Sequence, residues 1–139
     1  MSRVYWDTML FIYLLENNRQ FNPRVEAIFD RMLDRGDSLY TSYLSLGEVL
    51  AGAQDSAQKA NTIRTAFSKL KVQLLPFDAG AVDTFATLRA VQKLPTADSI
   101  HLACAASKGV DLFLTGDKRL TRQIIPGIHF ISSIETSPI

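Results

Sequence analysis

The chain has 139 residues, 47% of them hydrophobic and 21% charged, with a formal net charge of +1, which fits one domain with a sizeable core. A balance this close to neutral excludes a uniformly basic nucleic-acid binder, so an anionic partner must meet a local patch. The single cysteine, Cys104, excludes an intrachain disulfide, fits a reducing compartment and, among the small apolar residues of "HLACAAS", reads as core.

Arg3 to Trp6 reads as a short strand and Thr8 to Glu16 as a helix. The unbroken apolar run Met9 to Leu15 falls far short of the ~20 residues that span a bilayer. Asp7 interrupts any signal-peptide core, and no small-residue cleavage site follows. A cytoplasmic protein with no membrane span is therefore expected. "NPRVEAIFDRMLDRG" offers Asn22 as N-cap, Pro23 at the first helical position and Gly36 as the stop. Val25, Ile28, Phe29, Met32 and Leu33 form its apolar stripe. "SLYTS" is a second strand. Tyr43–Gly52 and Ser56–Leu70 read as helices, and "VQLLPF" as a third strand. Ala79–Gln92 is a helix with Asp78 as N-cap and with Val82, Phe85, Ala86 and Leu88 to Ala90 near helical spacing. Pro95 opens another helix, which Gly109 closes. "DLFLTG" is a fourth strand, "DKRLTRQI" a short helix, "IHFIS" a fifth strand, and "ETSPI" a frayed end. Strands alternating with helices over residues 1–139, with no repeat or linker, indicate one α/β sandwich domain with a mostly parallel sheet.

Most of the 14 acids have structural explanations. Glu26, Asp30 and Asp34 lie on a solvated helix face, and Glu16, Asp37, Asp55 and Glu135 at element ends or in polar stretches. Four do not fit that pattern. Asp7 ends the first strand inside an apolar run, where an unpaired charge is costly. Glu48 lies among Leu44, Leu46, Val49 and Leu50. Asp98 opens a helix that is apolar nearly all round. Asp117 follows the fourth strand. The competing structural readings are helix-terminus roles for Asp98 and Asp117 and a basic partner for Glu48. In open α/β sheets, ligands bind outside the carboxyl ends of the strands, where Asp7 and Asp117 stand. Four carboxylates in one pocket must either stay partly protonated or share a cation. Oxygen-only ligands suit Mg²⁺ or Mn²⁺, and Mg²⁺ commonly meets phosphate oxygens. No Cys/His pair has zinc spacing, and His101 and His129 read as packing residues.

"WDT", "TSYLSLGEVLAG", "ADSIHLACA" and "LTGDKRL", in this order and spacing, carry a resemblance. Over nearly its whole length the chain resembles PIN-domain nucleases, and by size the toxin component of a VapBC-type toxin–antitoxin pair. The resemblance implies a PIN-like three-layer α/β/α sandwich around a five-stranded sheet of order 3-2-1-4-5, and a metal-dependent endoribonuclease. It implies an acidic site of Asp7, Glu48, Asp98 and Asp117. Thr115 would support the acids and Thr8 would orient the first of them. Mg²⁺ or Mn²⁺ would be held by Asp7, Asp98 and Asp117 with Glu48. It also implies a small antitoxin partner, a homodimer and an RNA substrate, with the "MLFIYLL" helix as candidate docking surface. Met9 departs from the family, many members of which place a small polar residue there.

Lys118, Arg119 and Arg122 are candidates for RNA phosphate binding, with Arg89 and Lys93 behind them. Two other readings stay open: a non-catalytic RNA-binding or interaction module on the same fold, and a nuclease directed at DNA. A phosphatase of the haloacid-dehalogenase type needs a second Asp two after the first, where Met9 stands. Receiver domains pair acids in the first strand–helix loop, and none are paired here.

Overall fold

Val4, Tyr5 and Trp6 of the first strand, β1 (Arg3–Trp6), are fully buried. β1 earns that burial by being central: in the computed structural model, which describes residues 1–139, it pairs in parallel with β2 (Ser38–Ser42) on one side and β4 (Leu112–Thr115) on the other. β3 (Gln73–Leu75) extends the sheet beyond β2 and β5 (Phe130–Ser133) beyond β4, all parallel, giving the order β3-β2-β1-β4-β5. The helices between them are α1 (Thr8–Leu15), α2 (Asn22–Arg35), α3 (Tyr43–Ala51), α4 (Ala57–Lys69), α5 (Ala79–Ala90) and α6 (Thr96–Lys108). None is long and apolar enough to cross a membrane.

Alternation along β1 divides the core into two layers. Val4 and Trp6 pack with Leu10 and Phe11 of α1, Val25, Ile28 and Met32 of α2, Val49 of α3 and Phe67 of α4. Tyr5 faces the other way, onto Leu88 of α5, Leu102 and Ala105 of α6, and Phe113. Its ring stacks on that of Phe113 at 4.9 Å. The result is the expected three-layer α/β/α arrangement. Cys104 is buried as expected, and burial pushes its thiol up to about 11.

Several expectations need correction. Asn22 is not the N-cap of α2. It is the first residue of that helix, and its Nδ2 donates instead to the Tyr13 and Leu14 carbonyls at the end of α1. Leu33 leaves the core stripe at 62% exposure. On α5 only Ala81 and Leu88 are buried, and Val82 is exposed, because α6 covers a single narrow face. β3 keeps only three residues, ending before Pro76, which has no N–H for the ladder. Lys118–Arg122 is a 3₁₀ turn, the usual form of so short a helical piece. His129 is not packed inside: its exposed ring meets Asp111 at 3.2 Å. The C-terminus is not frayed. Arg24 donates to the carbonyls of Ile134, Ser137 and Ile139 at 3.0–3.3 Å, and the Ile139 side chain is buried.

Candidate active site

The register of β1 and β4 brings the first and last of the four acids together. Trp6 is level with Leu114, and the Asp7 N–H donates to the Leu114 carbonyl at 3.1 Å. Thr115, the last residue of β4, therefore lies beside Asp7. Its hydroxyl donates to Asp7 Oδ2 at 2.5 Å and accepts from the Asp117 N–H at 2.9 Å. One buried hydroxyl thus ties two acids from neighbouring strands. The Gly116 N–H adds a second donor to Oδ2, and Met9 N–H donates to Oδ1, which makes Asp7 the N-cap of α1. A side chain at Gly116 would meet Met9, whose Cβ is 2.9 Å from where it would start. Met9 is therefore an apolar lip over this edge of the site.

Asp7 is 8% exposed. Burial pushes its carboxyl above the ordinary range, against the lowering effect of the Thr115 bond. Asp98, half-buried in the first turn of α6, is also raised, by burial first and by the negative charge of Asp117 second. The other two acids go the opposite way. Glu48 on α3 is lowered by its bond to His101, and Asp117 by its bond to Arg119. Oxygens of Asp117 accept from Arg119 Nε at 3.0 Å and Nη2 at 2.8 Å, and from the Arg119 N–H, so Asp117 also caps the 3₁₀ turn. The site thus has two acids with cationic or imidazole partners and two, Asp7 and Asp98, whose charged forms the protein disfavours.

Thr8 departs from expectation. Its hydroxyl bonds Glu48 Oε1 at 2.6 Å rather than Asp7, because the first turn of α1 points it toward α3. The Thr8 hydroxyl also lies 3.3 Å from that of buried Ser45, which in turn accepts from Thr41. Among the basic candidates, Arg119 is committed to Asp117, and Arg89 to the Leu94 carbonyl at 2.8 Å. Lys118 and Arg122 are exposed.

Sequence reasoning missed His101. It lies one turn after Asp98, is 4% exposed and hydrogen-bonded through both ring nitrogens: Tyr5 Oη at 2.7 Å from Nδ1, Glu48 Oε1 and Thr8 Oγ1 at 3.2 Å from Nε2. The signal was its spacing of three from Asp98, which places both on one helix face.

The donors are hard oxygens throughout, which is the chemistry of Mg²⁺ or Mn²⁺ sites. As the side chains stand, no group of three or more His, Cys, Asp or Glu is close enough to hold one ion. Asp117 is turned onto Arg119, and Glu48 onto Thr8 and His101. The donor set fits a divalent cation by type, and loading it requires Asp117 to exchange its guanidinium partner.

A parallel sheet of this order with acids gathered at its carboxyl edge defines a class of doubly wound α/β proteins whose ligands bind at that edge. Within it, the PIN domain description matches residues 4–124, and the chain belongs to the PIN-domain family, whose members are in general nucleases. A search of curated proteins finds no match. Among solved structures, the chain is similar to VapBC2 from Rickettsia felis bound to a promoter DNA fragment, with a TM-score of 0.72 at 15% identity over 94% of this chain and 98% of that one. It is similar to DNA-bound VapBC from Salmonella typhimurium, with a TM-score of 0.72 at 21% identity over 96% and 99%. It is also similar to VapBC-5 of Mycobacterium tuberculosis, with a TM-score of 0.61 at 20% identity over 96% and 99%. At these identities the likeness is one of fold.

Proposed function

We propose that this protein is a divalent-metal-dependent endoribonuclease and the toxin of a toxin–antitoxin pair. The observation that carries the reading is the Thr115-bridged pair of acids at the centre of the carboxyl edge, with Asp98 nearby and raised by burial first and by the charge of Asp117 second. Two carboxyls held in environments that disfavour their charge create a demand for a cation. Membership of the PIN family and the likeness to VapBC structures support the same reading.

Asp7, Asp98 and Asp117 would hold Mg²⁺ or Mn²⁺. Once bound, the ion supplies Lewis-acid stabilisation of the charge that develops on the phosphate and acidifies the attacking water. Thr115 holds Asp7 and the start of the Asp117 turn in fixed relation. Glu48, kept ionised by His101 and Thr8, accepts a hydrogen bond from the attacking water and orients it. Lys118 and Arg122 bind flanking phosphates. The P–O3′ bond breaks as water adds, leaving a 5′-phosphate and a 3′-hydroxyl. A groove of about 460 Å³ beside Glu48, lined in part by Ile12, Leu15, Val49, Ala53 and Ile63, suits an apolar segment of the small antitoxin. A homodimer belongs to the same reading.

The test is incubation of pure protein with defined RNA and DNA pools, with and without Mn²⁺, followed by mapping of the cut ends. RNA cleavage that needs Mn²⁺ and leaves 5′-phosphates is expected. Asp7→Asn should lower it by roughly 100-fold or more while keeping the circular dichroism spectrum, because the amide loses the charge and its one oxygen still accepts on one side, giving up the Met9 bond or those of Thr115 and Gly116. Cleavage of DNA alone, or full activity in Asp7→Asn, overturns the assignment. Failure of a co-expressed small neighbouring open reading frame to relieve growth arrest overturns the toxin reading alone.

A further inference from the structure

We propose that His101 is a positioning residue for Glu48: its Nε2–H holds the glutamate by one oxygen, and the buried hydroxyl of Tyr5 anchors the imidazole from behind. The inference rests on the nuclease reading and adds residues that it does not include.

The carboxylate fixes the direction at its own end of the relay. A carboxylate only accepts, so the contact of 3.2 Å between His101 Nε2 and Glu48 Oε1 requires the proton on Nε2. In the neutral ring Nδ1 then carries a lone pair, and it accepts the Tyr5 hydroxyl at 2.7 Å. Glu48 Oε1 also accepts from Thr8 at 2.6 Å. Both bonds fall on the same oxygen, which leaves Oε2 to meet a water.

A core histidine satisfied for structural reasons alone would not look like this. Tyr5 has no exposed surface and His101 has 4%, whereas the Glu48 side chain is 39% exposed. An exposed glutamate needs no buried partner to be stable in water. A buried histidine would be better satisfied by a backbone carbonyl, which does not move. Instead the relay starts in the core, on β1, and ends at the acid that the proposed reaction uses. It also spans the site: Tyr5 belongs to the same strand that delivers Asp7, and His101 lies on the helix that carries Asp98. Orienting partners one shell removed from the reacting groups typically change activity by about 10–100-fold when removed.

The experiment compares wild type with His101→Leu, His101→Gln and Tyr5→Phe in Mn²⁺-dependent cleavage of an RNA oligonucleotide. It is paired with ¹⁵N NMR of the His101 ring in wild type and Glu48→Gln. His101→Leu should lower kcat by about 10–100-fold with KM nearly unchanged. His101→Gln, whose amide can donate to Glu48, should recover most of the loss. Tyr5→Phe should lower kcat by a smaller factor. The wild-type ring should show a protonated Nε2 and a hydrogen-bonded, unprotonated Nδ1, and Glu48→Gln should shift the Nε2 resonance. Wild-type kcat in folded His101→Leu, or a proton on Nδ1 alone, overturns the proposal. If wild type cleaves no RNA, the nuclease reading fails, and the NMR arm still decides whether His101 holds Glu48.

Discussion

Asp7 caps a helix and is also the most buried acid of the site, and the two roles use different oxygens. Oδ1 takes the Met9 N–H, while Oδ2 takes Thr115 and Gly116. Asp117 likewise caps its 3₁₀ turn while standing at the carboxyl edge. The capping roles are therefore present in the fold, and they leave both acids at the carboxyl edge where the proposed function needs them. Two predictions belong at this scale. The Arg119–Asp117 pair is exposed on the arginine side, at 86%, and solvent screens such pairs so strongly that they add little to stability. Arg119→Met should therefore leave the melting temperature in EDTA nearly unchanged, yet tighten Mn²⁺ binding several-fold, because the ion no longer competes for Asp117. Calorimetric titration with Mn²⁺ reads this directly, and an unchanged affinity would sink it. The second concerns pH. Asp98 is raised in the folded state, so between its unfolded and folded pKa the native chain binds more protons than the unfolded one. Stability from this group therefore falls as pH rises through that window, and the cost is complete above the folded pKa. Asp98→Asn removes it. In EDTA the variant should melt above wild type near pH 7, and the gap should close as pH falls toward the ordinary aspartate range. A gap that widens on acidification is the contrary result.

Elements whose ends are set by neighbours in sequence were readable. Asp78 caps α5 through a bond two residues away, and Gly36 and Gly109 end α2 and α6 with φ of 72° and 74°, the left-handed turn that favours glycine. Elements set by distant partners were not. The Asn22 side chain is drawn away from a capping role by carbonyls eight and nine residues earlier. The tail is held by Arg24, 110 to 115 residues away in sequence, and no local pattern in "ETSPI" records that. Arg24→Met keeps the aliphatic stem and removes the donors. It should cost roughly 1–3 kcal/mol, or a fall of about 2–17 °C in melting temperature. Hydrogen exchange should show the loss of protection confined to the residues after Ile134. Unchanged protection there would mean that burial of Ile139 is sufficient to hold the tail.

At the scale of the molecule, Asp7 and Asp117 meet through Thr115 at the carboxyl edge because β1 is central and β4 runs parallel to it. That much was legible, since apolar runs ending in acids mark the carboxyl edge of a parallel sheet. The partners of those acids were not, because Thr8 turns to Glu48 across 40 residues and Tyr5 to His101 across 96. Convergence has a thermodynamic consequence that spans the whole fold. A cation that binds the assembled edge finds no such edge in the unfolded chain, so it stabilises by RT ln(1 + [L]/Kd), about 1.4 kcal/mol at ten times Kd. For a domain of about this size that is a rise of roughly 3–8 °C. Asp98→Asn deletes the charge of a proposed ligand, so it should gain much less from Mn²⁺ even though it melts higher without it. Asp34→Asn, on the exposed face of α2, should keep the full rise. Six melting curves decide the matter: wild type and the two variants, each in EDTA and in Mn²⁺. If Asp98→Asn and wild type rise equally, Asp98 is not a ligand, and its raised carboxyl reflects burial and the nearby Asp117 alone. If Asp34→Asn loses the rise as well, the ion is acting on the general charge of the surface and not on the carboxyl edge of the sheet.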